Sequence, residues 1–245
     1  MQRPDPLSDP AYLRARSDPK PGDSSYLHLK DLRLFLADFA TDQKIQVLDF
    51  GCGGSPYRSL FPNADYRRAD LDGRGAIDLT IGVDSSIATP DASFDLILST
   101  QVLEHVADTS QYLRECHRLL RPGGKLVLTT HGSYAEHGCP DDFFRWTSHG
   151  LERVLLAAGF RIEVLEKLTT NGRAMLQLLE QHQQTILAPR WHIFGLWVQS
   201  LRFVFGPFLR SAHRWSDRFH GDCSRVPATT SGHSFFVALG AVARK

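Results

Sequence analysis

An apolar run over residues 45–50 breaks into Gly51-Cys52-Gly53-Gly54-Ser55-Pro56, and no other stretch of the 245 residues constrains the fold as much. The run has the length and composition of a buried strand. The glycines behind it form a tight turn, permit positive φ and let a ligand come close to the backbone. In an open α/β sheet, ligands bind beyond the carboxyl ends of the strands. The turn therefore predicts an α/β domain with its site at that edge. Asp49, close to the strand end, predicts a carboxylate suited to a cationic group such as an ammonium.

Two ligand classes use such a turn. A dinucleotide cradle wants G-x-G-x-x-G, with the third glycine closing helix on strand. Gly51 and Gly53 fit, but Pro56 stands at the third place. The pattern D-x-G-x-G is met by Asp49, Gly51 and Gly53, and it resembles motif I of the class I S-adenosylmethionine-dependent methyltransferases. Ser55 stands where many members carry a further glycine. About 20 positions past such a turn, an acidic residue is expected on the ribose hydroxyls. Asp70, at the end of a short strand over 66–69, takes that place ahead of Asp72, and Leu71 is placed against the adenine face.

The resemblance sharpens further along. Pro90-Asp91-Ala92-Ser93-Phe94-Asp95 is similar to the family's segment entering strand four, and it implies Asp84, with Ser85 beside it, at the adenine amino group. Gln101-Val102-Leu103-Glu104-His105-Val106 resembles the L-E-H-V signature of the methyltransferase type 11 group, and Gln101 is placed on the cofactor. A helix then ends in Arg121-Pro122-Gly123-Gly124, with glycine supplying the terminal turn, and 125–130 reads as strand five. Glu104 and His105 each have two readings, contact with cofactor or substrate, or bracing of the following helix.

The loop 131–147 gathers polar and aromatic groups above the sheet edge. It is similar to a stretch of methyltransferases linked to sugar or polysaccharide pathways. The candidate bases are His131 and His137, then His105 and Asp141. No N-P-P-Y-like motif follows strand four, which counts against an exocyclic nucleobase amine as acceptor.

The predicted architecture is a Rossmann-like, seven-stranded, mostly parallel sheet with an antiparallel last strand, helices on both faces and a helical insertion before the last strand. Residues 1–25, rich in proline, read as a flexible arm; 26–168 and 233–245 read as the core; 169–232 reads as a lid or interface. Ser148 is placed as the N-cap of the helix that follows the loop. The apolar, aromatic and basic segment 191–220 offers peripheral membrane contact as a further reading. A homodimer surface is another.

With 28 basic and 27 acidic residues and a net charge of +1, nothing favours nucleic acid as a partner. Four separated cysteines without a C-x-x-C pair predict no metal site and a reducing, cytoplasmic setting. The expected activity is methyl transfer from S-adenosyl-L-methionine to oxygen or nitrogen of a small molecule, such as a sugar, glycolipid or secondary metabolite. A cofactor-binding protein without turnover and an NAD-dependent oxidoreductase are the competing readings.

Overall fold

The computed structural model describes residues 9–71, 76–138, 141–186, 207–229 and 234–245. Eight strands form one sheet: β1 (Gln46–Phe50), β2 (Asp65–Asp70), β3 (Leu79–Thr80), β4 (Phe94–Thr100), β5 (Leu120–His131), β6 (Arg161–Thr170), β7 (Arg225–Pro227) and β8 (Phe236–Arg244), in the order β3-β2-β1-β4-β5-β8-β6-β7. β1 to β5 run parallel, and β8 inserts antiparallel between β5 and β6. The order reverses between β1 and β4, which opens a crevice at their carboxyl ends. The sheet matches the expected architecture with one strand more, since β7, from inside the predicted insertion, adds antiparallel to the β6 edge.

Strand alternation divides the core. Leu48, Phe50, Ile97, Leu126 and Leu128 face a layer holding Leu113 and Leu119 of α3 (Thr109–Leu119) and Leu151 and Leu155 of α4 (Ser148–Ala157). Val47, Leu96, Leu98 and Val127 face Leu32, Phe35 and Leu36 of α2 (Tyr26–Ala37). A Cβ at Gly240 would sit 2.7 Å from the Phe35 ring, so only glycine lets α2 settle this close to β8.

Several local expectations change. Arg121-Pro122-Gly123-Gly124 does not end a helix. It lies inside β5, where the pairing with β4 slips between Phe94 and Leu96, and Gly123 takes a φ of +80°. The cap of α4 is Thr147, whose side chain accepts from Gly150 N, and Ser148 is its first helical residue. After the glycine turn only one 3-10 turn forms (Arg58–Leu60).

The proline-rich arm contains α1 (Pro10–Ser17), capped by Asp9 and opened by Pro10, where proline costs no hydrogen bond. It is tied down by Arg33 Nε donating to Ser17 O (2.6 Å) and Gly22 N donating to His213 Nδ1 (3.1 Å). Among the described residues the predicted insertion holds α5 (Asn171–Ile186), a helix α6 over 207–219, and β7. Arg173 of α5 is buried against Asp31 of α2 and also donates to Asp217 of α6 (3.0 Å).

Candidate functional site

A cavity of about 940 Å³ opens where the strand order reverses. Its cofactor-side wall is the glycine turn. Gly51 has φ +77°, and a Cβ there would lie 2.6 Å from Val102. Gly53 has φ +50°, and its N–H donates to Asp70 Oδ2 (2.7 Å). Leu71 N donates to Oδ1 of the same carboxylate (2.8 Å). Oδ2 also takes the Cys52 thiol (3.9 Å), so Asp70 is buried and fixed at the end of β2, with a lone pair of Oδ1 left for a further donor.

Leu71, Asp84, Ser85 and Gln101 also line the cavity, with Gly51 and Gly53. Ser85 and Gln101 both adopt positive φ (64° and 57°), strain that tends to persist where the surroundings enforce it. Both amide atoms of Gln101 are buried without a partner. Asp84 is exposed, and its Oδ1 accepts from Ser86 Oγ (2.6 Å) and N (3.1 Å), hydrogen bonds that lower its pKa.

Asp49 departs from its expected role. It follows Leu48 on an alternating strand, so its side chain points to the α2 face and does not line the cavity. There it accepts from Tyr66 Oη (2.7 Å). Burial pushes its pKa up to about 7, against the lowering effect of that hydrogen bond.

Histidines line another part of the cavity. His131 ends β5, buried, its ring stacked on Tyr134 at 3.8 Å. A Cβ on the next residue, Gly132, would strike the Phe236 ring at 2.3 Å. The loop then folds back, with Trp146 N donating to His131 O. His137 lies edge-on to His131 (5.2 Å) and His105 (4.9 Å). Its Nδ1 faces Ala135 O (3.2 Å) and Asp142 Oδ2 (3.4 Å). His105 Nδ1 meets the carbonyl oxygen of Asp141 at 2.6 Å, while the Asp141 residue is exposed. The sequence therefore brings His105, His131 and His137 together, and Asp141 engages them through its backbone.

Four participants were not among the predicted site residues. Glu104, fully buried in the 3-10 turn Leu103–His105, accepts from Thr130 Oγ1 (2.7 Å), and its Oε1 lies 3.4 Å from His131 Nε2. Burial raises its pKa to about 7. His28 of α2 is buried with its Nδ1 unpartnered, 5.4 Å from the His131 ring. Asp142 is held low, at about 2, chiefly by the Arg145 guanidinium. Arg16 of α1 enters the cavity over the Tyr12 ring (4.3 Å), and no carboxylate among the described residues pairs with it. Burial lowers the pKa of His131 well below its usual value and lowers those of His28, to about 3, and His137, so these imidazoles stay neutral. Only the L-E-H-V string gave a signal for Glu104.

Residues 48–128 match the profile of a family described as Methyltransferase domain. A probable S-adenosylmethionine-dependent methyltransferase of Mycolicibacterium smegmatis is 34% identical over 95 residues, covering 34% of this chain and 37% of the relative. A ubiquinone biosynthesis O-methyltransferase of Parvibaculum lavamentivorans is 32% identical over 103 residues, covering 36% of this chain and 41% of the relative. The matches thus span about two fifths of these curated relatives' length. Among solved structures, the cyclase SpnF superposes with a TM-score of 0.52 at 22% identity, covering 91% of this chain and 83% of that one. A Haemonchus contortus phosphoethanolamine N-methyltransferase with bound S-adenosyl-L-methionine superposes at 0.52 with 17% identity, covering 96% and 55%. These likenesses establish the fold. With the profile match and the curated relatives, residues 48–128 resemble a methyltransferase domain.

Proposed function

We propose that the chain transfers a methyl group from S-adenosyl-L-methionine to oxygen or nitrogen of a small molecule. The observation that carries this reading is the Asp70 carboxylate. It is locked to Gly53 N and Leu71 N on the cavity wall, with acceptor capacity left on Oδ1 for a ribose hydroxyl. The unpartnered Gln101 amide and the unpaired Arg16 guanidinium suit the same ligand, one as polar partner and the other for its carboxylate. When bound, the sulfonium supplies an already activated methyl group.

The chain's own residues must then align the acceptor and take up any proton it loses. The histidine wall faces the cofactor side across the cavity and fits the acceptor. His137 is the best-placed base. Ala135 O and the Asp142 carboxylate face its Nδ1 and favour the proton there, which leaves Nε2 free to accept one. Substituting Asp70→Ala is expected to weaken S-adenosylhomocysteine binding at least tenfold, measured by calorimetry. Undiminished binding would move the cofactor out of this cradle.

The surface of α6 supports a second contact. Phe208, Trp215 and Phe219 are 68%, 54% and 59% exposed, and at helical spacing they fall on one stripe, flanked by Arg218. We read this stripe as a peripheral membrane contact. Residues 191–206 of the expected segment lie outside the described residues. No helix among the described residues is long and apolar enough to cross a membrane. Co-sedimentation with anionic vesicles, lost in Trp215→Ser, is the expected outcome; equal sedimentation with and without vesicles would count against it.

A further inference from the structure

Behind His131 and His137, which line the cavity, lies a buried carboxylate that hydrogen bonding leaves half satisfied. Glu104 is fully buried. Its Oε2 takes the Thr130 hydroxyl, but Oε1 has no donor. The nearby guanidinium of Arg145 is committed to both oxygens of Asp142. His131, equally buried, leaves Nδ1 without a partner. His137 completes the group, and one ligand atom from each of Glu104, His131 and His137 lies within 4.8 Å of the other two.

A buried carboxylate oxygen without a hydrogen-bond donor calls for a proton or a cation. Here two imidazoles converge on it, with ligand atoms of all three residues within 4.8 Å of one another. We propose that Glu104, His131 and His137 form a binding site for one divalent transition-metal ion, facing the acceptor side of the cavity.

The donor set selects the class of ion. Two imidazoles and one carboxylate suit zinc, iron, cobalt or manganese better than calcium or magnesium, which favour all-oxygen shells. Ligand atoms around such an ion stand about 3.0–3.4 Å apart, given bonds near 2.1 Å. Glu104 Oε1 and His131 Nε2, at 3.4 Å, already meet that spacing. His137 sits on the loop 131–147, so the remaining approach falls on the least constrained of the three positions. The Nδ1 contacts to Ala135 O and Asp142 are the outer-shell partners that fix a ligating imidazole. Three protein ligands leave a position open towards the cavity, where an acceptor oxygen would bind. With an ion present, His137 is a ligand instead of a base. This step goes beyond the methyl-transfer reading and does not need it, because ion binding is measured without cofactor or acceptor.

The test is titration of chelator-treated full-length protein with Co²⁺, followed by its visible d–d absorption. The expected result is saturation at one equivalent per chain, with bands of a nitrogen- and oxygen-ligated ion. Glu104→Gln and His131→Ala should each weaken binding at least tenfold, with circular dichroism checked for each. Absence of saturable binding in the unsubstituted protein would overturn the proposal even if the variants failed to fold. So would binding that both variants retain, since that ion would sit elsewhere. Titration of the same metal-free sample with S-adenosylhomocysteine reads the cofactor site separately.

Discussion

Asp49 and Asp70 show how much one position in a strand decides. Both are buried carboxylates near the same turn. Asp70, at the end of β2, has its oxygens taken by backbone N–H groups of the cofactor wall, whereas Asp49 turns away to Tyr66. The sign of the resulting pH dependence follows from the pKa. An unfolded aspartate titrates near 4, while Asp49 in the fold titrates at about 7 because burial disfavours its charge. Between those values the folded state holds a proton that the unfolded state has released, so stability falls as pH rises from about 4 to 7. Asp49→Asn, which can still accept from Tyr66, should remove roughly 2–4 kcal/mol of that decline, read from denaturant midpoints across pH. An unchanged slope would show that Asp49 is ionised throughout. The place of Asp70 on the cavity wall was legible because a spacing from the turn marks it. The role of Asp49 was misread because a motif reports the residue and not the face of the strand it occupies. Arg16 and His28 carry no local signature; the fold alone brings His28 to the His131 and Tyr134 rings and Arg16 into the cavity.

At the scale of elements, the buried network around Arg173 joins α2, α5, α6 and β6. Its guanidinium donates to both oxygens of Asp31, at 2.6 and 3.0 Å, and Thr169 Oγ1 adds a third bond at 2.8 Å. Asp217 of α6 collects Arg173, Tyr26 and Lys30. Removing one partner leaves a buried charge. Arg173→Met is therefore expected to cost about 3–5 kcal/mol in unfolding free energy, and Asp31→Leu combined with it to recover most of that loss. A single variant as stable as the parent would mean that water reaches Asp31. None of this was readable in the sequence, since the partners are separated by 142 and 44 positions. The strands were readable, because buried apolar runs bounded by turn residues need no distant partner to be recognised. The first arm was misjudged for the opposite reason. Its prolines suggested an exposed segment, but Pro10 opens a helix after the Asp9 cap, and contacts from Arg33 and His213 hold the segment against the body.

Over the whole molecule, one sheet edge carries the cofactor turn on β1, the Asp70 cradle on β2 and the histidine wall beyond β4 and β5. The reversal of strand order between β1 and β4 brings them around one cavity. Fold alone does not fix the reaction on such a sheet, and a cyclase shares it as closely as an N-methyltransferase does. This chain sets a glycine–aspartate turn and a cluster of neutral imidazoles around one cavity. On the proposed reading, acceptor chemistry falls to the loop 131–147 and cofactor choice to the turn. The most direct test of the central claim is calorimetric titration of the full chain with S-adenosylhomocysteine, run beside NADH. The account predicts binding of the former at one site per chain and no heat from the latter. Binding of NADH, or of neither, would contradict it.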